Sequence, residues 1–232
     1  PFLKNEQYAT IQNGDKNLQS NKNLHAIIGA GTGLGIARGI ISGNNVLTLA
    51  SEGGHIEYAP RSKSEWELKT WLKNYLNVER ISCERIVSGT GLARIAEWRL
   101  SKPDAKNHPI QKYLKEFKKS DEIRKELPKK IYDLSKEGDF LMIEIERIWL
   151  KAYAAFLGDV ALHELCYGGL WIAGGTAPKH LKNFKSKSFL KHFSNKGRYK
   201  DILKNIPIRV IKDEDFGLYS AACRAKLMLK IS

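Results

Sequence analysis

From residue 27 the chain reads Ile27-Ile28-Gly29-Ala30-Gly31-Thr32-Gly33-Leu34-Gly35, with glycine at every second position from 29 onward. An apolar run that reads as a buried strand leads straight into it. Residues without a Cβ let main chain approach a ligand closely and let successive N–H groups point at one anion. Thr32 adds a hydroxyl at the same place. The stretch therefore reads as a phosphate-cradling turn; the bland alternative is a glycine-rich hairpin that holds nothing.

Two familiar phosphate loops fail in register. A dinucleotide fingerprint needs a third glycine five positions after the first, and counting from Gly29 or Gly31 reaches Leu34 or Ile36. A Walker loop ends in Gly-Lys-Ser/Thr, and no lysine comes after these glycines. Beyond them lie apolar residues from Ile36 to Ile41, the turn Ser42-Gly43-Asn44-Asn45, and Val46 to Leu49. That pattern is a hairpin and not a helix. A strand–turn–strand of this kind is how actin-like and hexokinase-like ATPases hold phosphates.

Residues 1–23 are polar, carry Asn-Gly-Asp and Asn-Lys-Asn turn signals, and are expected to run over the surface ahead of a strand at Leu24–Ile28. Glu52-Gly53-Gly54-His55 comes after the hairpin, and Ile56 to Pro60 alternates like a short strand. Ser64 with Glu67 has capping-box spacing, opening a helix that packs Leu68, Trp71, Leu72, Tyr75 and Leu76 on one face. The run Ile81 to Val87 leads into Ser88-Gly89-Thr90-Gly91 and a second helix that Pro103 ends. Short Lys/Glu-rich helices interrupted by Pro109 and Pro128 fill the middle, and a long buried helix begins near Asp139. Gly168 to Gly175 reads as a buried strand ending in a double glycine, with Pro178 opening a helix. A solvent-facing amphipathic stretch runs from Lys179 to Lys204, then a strand at Pro207–Ile211 and a closing helix from Gly217 to Lys230. Strands alternating with helices place the fold in the α/β or α+β class.

Composition excludes little. The net charge of +14 over 232 residues is unusual and by itself would suit a nucleic-acid partner. Lys112 and Lys115, however, alternate with Glu116, Asp121 and Glu122 as on a solvated helix face. Three cysteines, Cys83, Cys166 and Cys223, form no metal spacing or disulfide framework, which suits a reducing cytoplasm. The apolar helix near Ile143–Leu165 carries too many charges to span a membrane. His163-Glu164 starts a zinc motif that fails at Tyr167.

Taken in order, Gly29 to Gly35, Glu52-Gly53-Gly54-His55, Glu84-Arg85-Ile86-Val87-Ser88-Gly89 and Ile172-Ala173-Gly174-Gly175 resemble the bacterial glucokinases of the hexokinase/actin-like superfamily. Asp215-Phe216-Gly217-Leu218 is a weaker match. The cysteine-rich zinc motif of the related ROK kinases has no counterpart here, so the zinc-free branch fits better. The resemblance implies the large domain of an actin-like, ribonuclease-H-like sugar kinase, with a central mixed sheet and flanking helices. It implies glucose, ATP and Mg²⁺ as ligands, no nucleic acid or membrane partner, and a homodimer. Gly29, Gly31, Thr32 and Gly33 would handle the ATP phosphates, Glu52, His55 and Glu84 the sugar hydroxyls, and Gly174 and Gly175 the adenosine side.

The residue chemistry is compatible. Carboxylates and an imidazole can bind adjacent hydroxyls with directional bonds, although Glu52, His55 and Glu84 could also simply pair with lysines. The Asp-Gly-Gly-Thr loop and the Asn-Asp pair that supplies the family's catalytic base are not found in the chain, which opens on Pro1. We therefore expect a C-terminal fragment that lacks the base and does not turn over. Residues 1–212 would be the large domain, and residues 213–232 a helix packing on a missing small domain. The other reading is a sugar- or nucleotide-binding regulatory module without catalysis.

Overall fold

In the computed structural model the described residues are 3–15, 21–43, 45–117, 120–213 and 216–229. The strands are β1 (Tyr8–Gln12), β2 (Leu24–Ala30), β3 (Leu34–Ser42), β4 (Asn45–Ser51), β5 (Gly169–Ala173) and β6 (Ile208–Ile211). The helices are α1 (Lys63–Leu76), α2 (Gly89–Leu100), α3 (Gln111–Phe117), α4 (Asp121–Lys136) and α5 (Phe140–Glu164), then α6 (Leu181–Phe184), α7 (Lys187–Phe193), α8 (Lys200–Lys204) and α9 (Phe216–Leu229). They group into two compact units: Pro1–Ala30 with Gly35–Ser51 and Leu157–Ser232, and Gly31–Leu34 with Glu52–Phe156.

The first unit is built on a six-stranded mixed sheet in the order β1-β6-β5-β2-β3-β4. β2, β5 and β6 run parallel, which requires crossover connections, and α6 to α8 supply the one between β5 and β6. β3 and β4 form the expected hairpin, with Ile36 opposite Ser51 and Ile41 opposite Val46. One sheet face is fully buried: Ala26, Ile28, Ala30, Leu170, Ile172, Ile208 and Val210 all have zero exposure. Phe184, Phe193 and Leu203 complete that unit's core, so the stretch expected to face solvent contributes apolar anchors as well as lysines.

The leading segment is not merely a surface run. Tyr8–Gln12 pairs antiparallel with β6 as an edge strand, and Gln12 Nε2 donates to the carbonyls of Leu203 and Ile206 at 2.8 and 2.7 Å. Pro178 does not open a helix; the chain turns there, and the four-residue α6 begins at Leu181. His163 Nδ1 lies 3.0 Å from Glu164 Oε1, and Glu164 faces Arg38 at 3.7 Å.

The second unit is helical. α1 is capped by Ser62, whose hydroxyl accepts from the Glu65 N–H at 3.3 Å, two residues earlier than the Ser64–Glu67 spacing suggests. Arg61 decides this by holding the Glu65 carboxylate from its own N–H at 2.7 Å and its guanidinium at 2.8 Å. Residues 56–60 make only an isolated bridge, Glu57 to Ser82, in place of a strand. Pro128 lies inside the 16-residue α4 and does not divide it. Asp139 caps α5 through the Met142 N–H at 3.0 Å and is itself held by His108 at 2.8 Å. Leu68, Leu72, Ile86, Leu92, Ile95, Trp149 and Tyr153 form a core closed to solvent.

Candidate active site

The second unit gathers most of the residues singled out in the sequence. Gly31 to Gly33 form a tight turn, with the Gly31 N–H donating to the Gly33 carbonyl at 2.9 Å. The turn is clamped at three points, two at the start of α2 and one at Glu84 ahead of it. The Gly89 N–H donates to the Gly31 carbonyl at 2.7 Å, and the Thr90 hydroxyl to the Thr32 carbonyl at 2.9 Å. Third, the Leu34 N–H donates to Glu84 Oε2 at 3.0 Å. Loop 31–34 and the segment from Glu84 to α2 are thus one hydrogen-bonded body.

Gly33 is a glycine for a local reason. A Cβ there would sit 2.8 Å from Glu84 Oε2, so a methyl group would displace the carboxylate. Glu84 is fixed from its main chain too. Ser88 caps α2 by accepting from the Gly91 N–H at 2.9 Å, and its hydroxyl donates to the Glu84 carbonyl at 2.7 Å. The fully buried Trp149 of α5 donates its indole N–H to the Ser88 carbonyl at 3.1 Å. Arg94 completes the electrostatic setting: burial and then the neighbouring Arg85 lower its pKa, while Glu97 and Glu84 work against them.

Opposite Glu84 stands the 3-10 turn Gly53–His55. The His55 N–H donates to the Glu52 carbonyl at 2.9 Å, and Arg80 donates to the His55 carbonyl at 2.8 Å, so the main chain is anchored. The side chains are freer. His55 Nδ1 lies 4.0 Å from Glu84 Oε1 and its Nε2 3.7 Å from Glu52 Oε2, while the Glu52 side chain is 93% exposed. An imidazole therefore stands between two carboxylates, and Thr32 is exposed on the turn that Glu84 holds. Glu84 Oε2 is committed to main chain, and Oε1 is left facing His55. This arrangement can present two acceptors and a ring nitrogen to adjacent hydroxyls of a neutral polyol.

Gly29, Gly174 and Gly175 belong to the first unit. Gly29 pairs with Ala173 across β2 and β5. Gly174 has φ +89°, and a Cβ there would lie 2.5 Å from the Ala30 carbonyl, so packing alone demands glycine. Gly175 is exposed, with nothing near the place of a Cβ. Thr176 ties this turn to the end of β2 by donating its hydroxyl to the Ala30 carbonyl at 2.8 Å. Asp215 lies outside the described residues. Among the described residues no group of three His, Cys, Asp or Glu side chains could hold a metal ion, and no helix is long and apolar enough to cross a membrane.

Sequence reasoning named Ser88 and Thr90 only as part of a run, and gave no role to them or to Trp149 and Thr176. Ser88 carried a signal, since a serine three positions before a glycine at a helix start is an N-cap pattern. The others are visible only in three dimensions.

The family model described as Glucokinase matches residues 1–228. A curated glucokinase of Nostoc punctiforme is 37% identical over 207 residues, covering 87% of this chain and 61% of that protein. One from Tolumonas auensis is 32% identical over 233 residues, covering 100% of this chain and 66% of its own. The chain thus spans about three fifths of the length of the first of these relatives. Among solved structures, a glucokinase from an Antarctic psychrotroph superposes with a TM-score of 0.73 at 23% identity, over 96% of this chain and 63% of that one. A glucokinase from Balamuthia mandrillaris, solved in complex with glucose, gives 0.69 at 17% identity, over 89% and 55%. Both likenesses show the fold, and the match of the family model along almost the whole sequence establishes that the chain belongs to the glucokinase family.

Proposed function

We propose that the protein containing these residues transfers the γ-phosphate of ATP to the 6-hydroxyl of glucose, giving glucose 6-phosphate and ADP. One observation carries this reading: Glu52, His55 and Glu84 converge beside the Gly31–Leu34 turn, with one oxygen of Glu84 fixed and the other turned to the imidazole. In this reading Glu84 Oε1, the Glu52 carboxylate and His55 accept from and donate to ring hydroxyls. Bonds to charged groups contribute roughly 1.5–3 kcal/mol each. A sugar lacking the hydroxyl that meets Glu84 leaves the fixed carboxylate without that partner and binds more weakly.

Gly29, Gly31, Thr32 and Gly33 receive the phosphates, and Gly174 and Gly175 flank the adenosine. Mg²⁺ comes with the nucleotide as part of the substrate and neutralises charge on the phosphates. In the transfer the hydroxyl oxygen bonds to the γ-phosphorus, the bond to the β-phosphate oxygen breaks, and the hydroxyl proton passes to a carboxylate base. That base lies in the part of the family's length that these residues do not span. Residues 1–212 act as the large domain, and 213–232 as a helix that seats on the remaining part. The protein works in the cytoplasm as a pair of identical subunits.

The test is a coupled assay of the complete reading frame beside the 232-residue chain. The complete protein should phosphorylate glucose, and the chain alone should not. Robust turnover of complete protein carrying Glu84→Gln would contradict the site.

A further inference from the structure

The six-stranded sheet has two edges, and the chain finishes them differently. β1, at one end of the order, is interrupted between Thr10 and Gln12, where its register against β6 shifts. A break of that kind twists an edge strand away from further pairing. β4, at the other end, is regular throughout: each residue from Asn45 to Ser51 faces one residue of β3, from Ser42 back to Ile36. Among the described residues no strand lies on its outer side. In an antiparallel ladder every second residue turns its N–H and C=O away from the partner strand, so Val46 to Ala50 presents an unbroken edge.

The usual protections of such an edge are lacking. Lysine, proline and bulges blunt exposed strands. No charged residue and no proline occurs from Gly39 to Ser51, in a chain with 39 Lys and Arg among 232 residues. Leu47 is 57% exposed, and Ile40, opposite it on β3, is 37% exposed. Thr48 is exposed as well. A net charge of +14 makes copies of this chain repel one another, and an uncharged edge is where one can approach another.

β4 is also self-complementary. Turned end for end about Thr48, the run Asn45-Val46-Leu47-Thr48-Leu49-Ala50-Ser51 meets itself like with like. Thr48 falls opposite Thr48, Leu47 opposite Leu49, Val46 opposite Ala50 and Asn45 opposite Ser51. Leucine pairs on one face and a threonine pair on the other are favourable cross-strand neighbours. Residues matched about one centre are an even number of positions apart, so outward-turned groups always meet outward-turned groups.

We propose that β4 is the docking edge for a second copy of this chain: two β4 strands pair antiparallel about a two-fold axis at Thr48 and join two six-stranded sheets into one. The inference rests on the reading that the protein works as a pair of identical subunits, and it names the surface that holds the pair.

Disulfide trapping in the complete protein tests it. Cys83 and Cys166 are buried, so the background needs Cys223→Ser and serine at any cysteine outside these residues. Thr48→Cys then stands opposite its own copy, with Cβ atoms roughly 4.5–5.5 Å apart and within reach of a disulfide. Mild oxidation should link it at least about tenfold faster than Leu47→Cys, whose own copy lies two positions along the strand. Thr48→Lys sets two like charges face to face and should weaken the dimer in sedimentation at least about tenfold. Should that variant fold poorly, the cysteine pair still decides. A dimer that neither links through Thr48→Cys nor yields to Thr48→Lys would overturn the edge and leave the pair intact. Equal linking at both positions would break the register, and the proposal with it. Linking in the 232-residue chain that vanishes in the complete protein would mean that the rest of the polypeptide covers β4, which rejects a second copy there. A complete protein that stays monomeric would sink the pair together with its surface.

Discussion

Glu84 and Glu52 carry the same carboxylate and flank the same imidazole, yet the chain treats them in opposite ways. Glu84 is held by a main-chain N–H at its tip and by a serine at its carbonyl, and its side chain is 31% exposed. Glu52 sits on an anchored turn with its side chain 93% exposed. The first has lost its conformational freedom on folding; on the proposed reading the second loses it only when sugar binds. Ordering a side chain on binding costs roughly 0.5–1.5 kcal/mol, so the prepared acid should contribute more net affinity and more discrimination than the free one.

The sharpest attack on that asymmetry is Glu84→Gln in the complete protein. Loss of a charge-assisted bond at a fixed site should lower kcat/KM for glucose about 100-fold, with the KM for ATP little changed. A drop no greater than that of Glu52→Gln would erase the distinction. Next is Gly33→Ala, which leaves Glu84 in place but pushes its carboxylate. Glucose affinity should fall about tenfold by calorimetry while the thermal midpoint moves little, because the methyl meets only a side-chain tip. Glu52→Gln should cost about threefold in affinity, since the bond lost and the ordering cost saved nearly cancel. Smallest at the sugar is Thr90→Val, which removes the hydroxyl bond to the Thr32 carbonyl. It should lower unfolding stability by about 1 kcal/mol in urea, with any kinetic effect confined to the nucleotide.

The same contrast separates what is legible in the sequence from what is not. The glycine alternation and the β-branched hairpin announce β2, β3 and β4, because a strand buried on one face or both must show it in composition. β1 is hidden: Tyr8-Ala9-Thr10-Ile11-Gln12 is a half-buried edge strand, so its alternation is diluted by polar residues that its position tolerates. The start of α1 is displaced by two residues from its expected place because Ser62 and Ser64 both have a glutamate three positions on, and only Arg61 chooses between them. At the site, the two acids and the histidine are readable from motif order. The bond from Glu84 to Leu34 is not, because it joins residues 50 apart and uses a backbone donor that any residue would supply. For Gly174 the structure supplies a packing requirement that stands whether or not a nucleotide binds.

Trp149 gives the site an optical readout of its own. Its indole is sealed in the core, and its N–H ends on the carbonyl of the residue whose hydroxyl steadies Glu84. A ligand pulling on that carboxylate displaces the hydrogen-bond acceptor of a chromophore, so occupancy should alter emission without any attached dye. Titration with glucose should shift the fluorescence of the unlabelled protein, and Trp149→Phe should abolish most of the change while the other tryptophans remain.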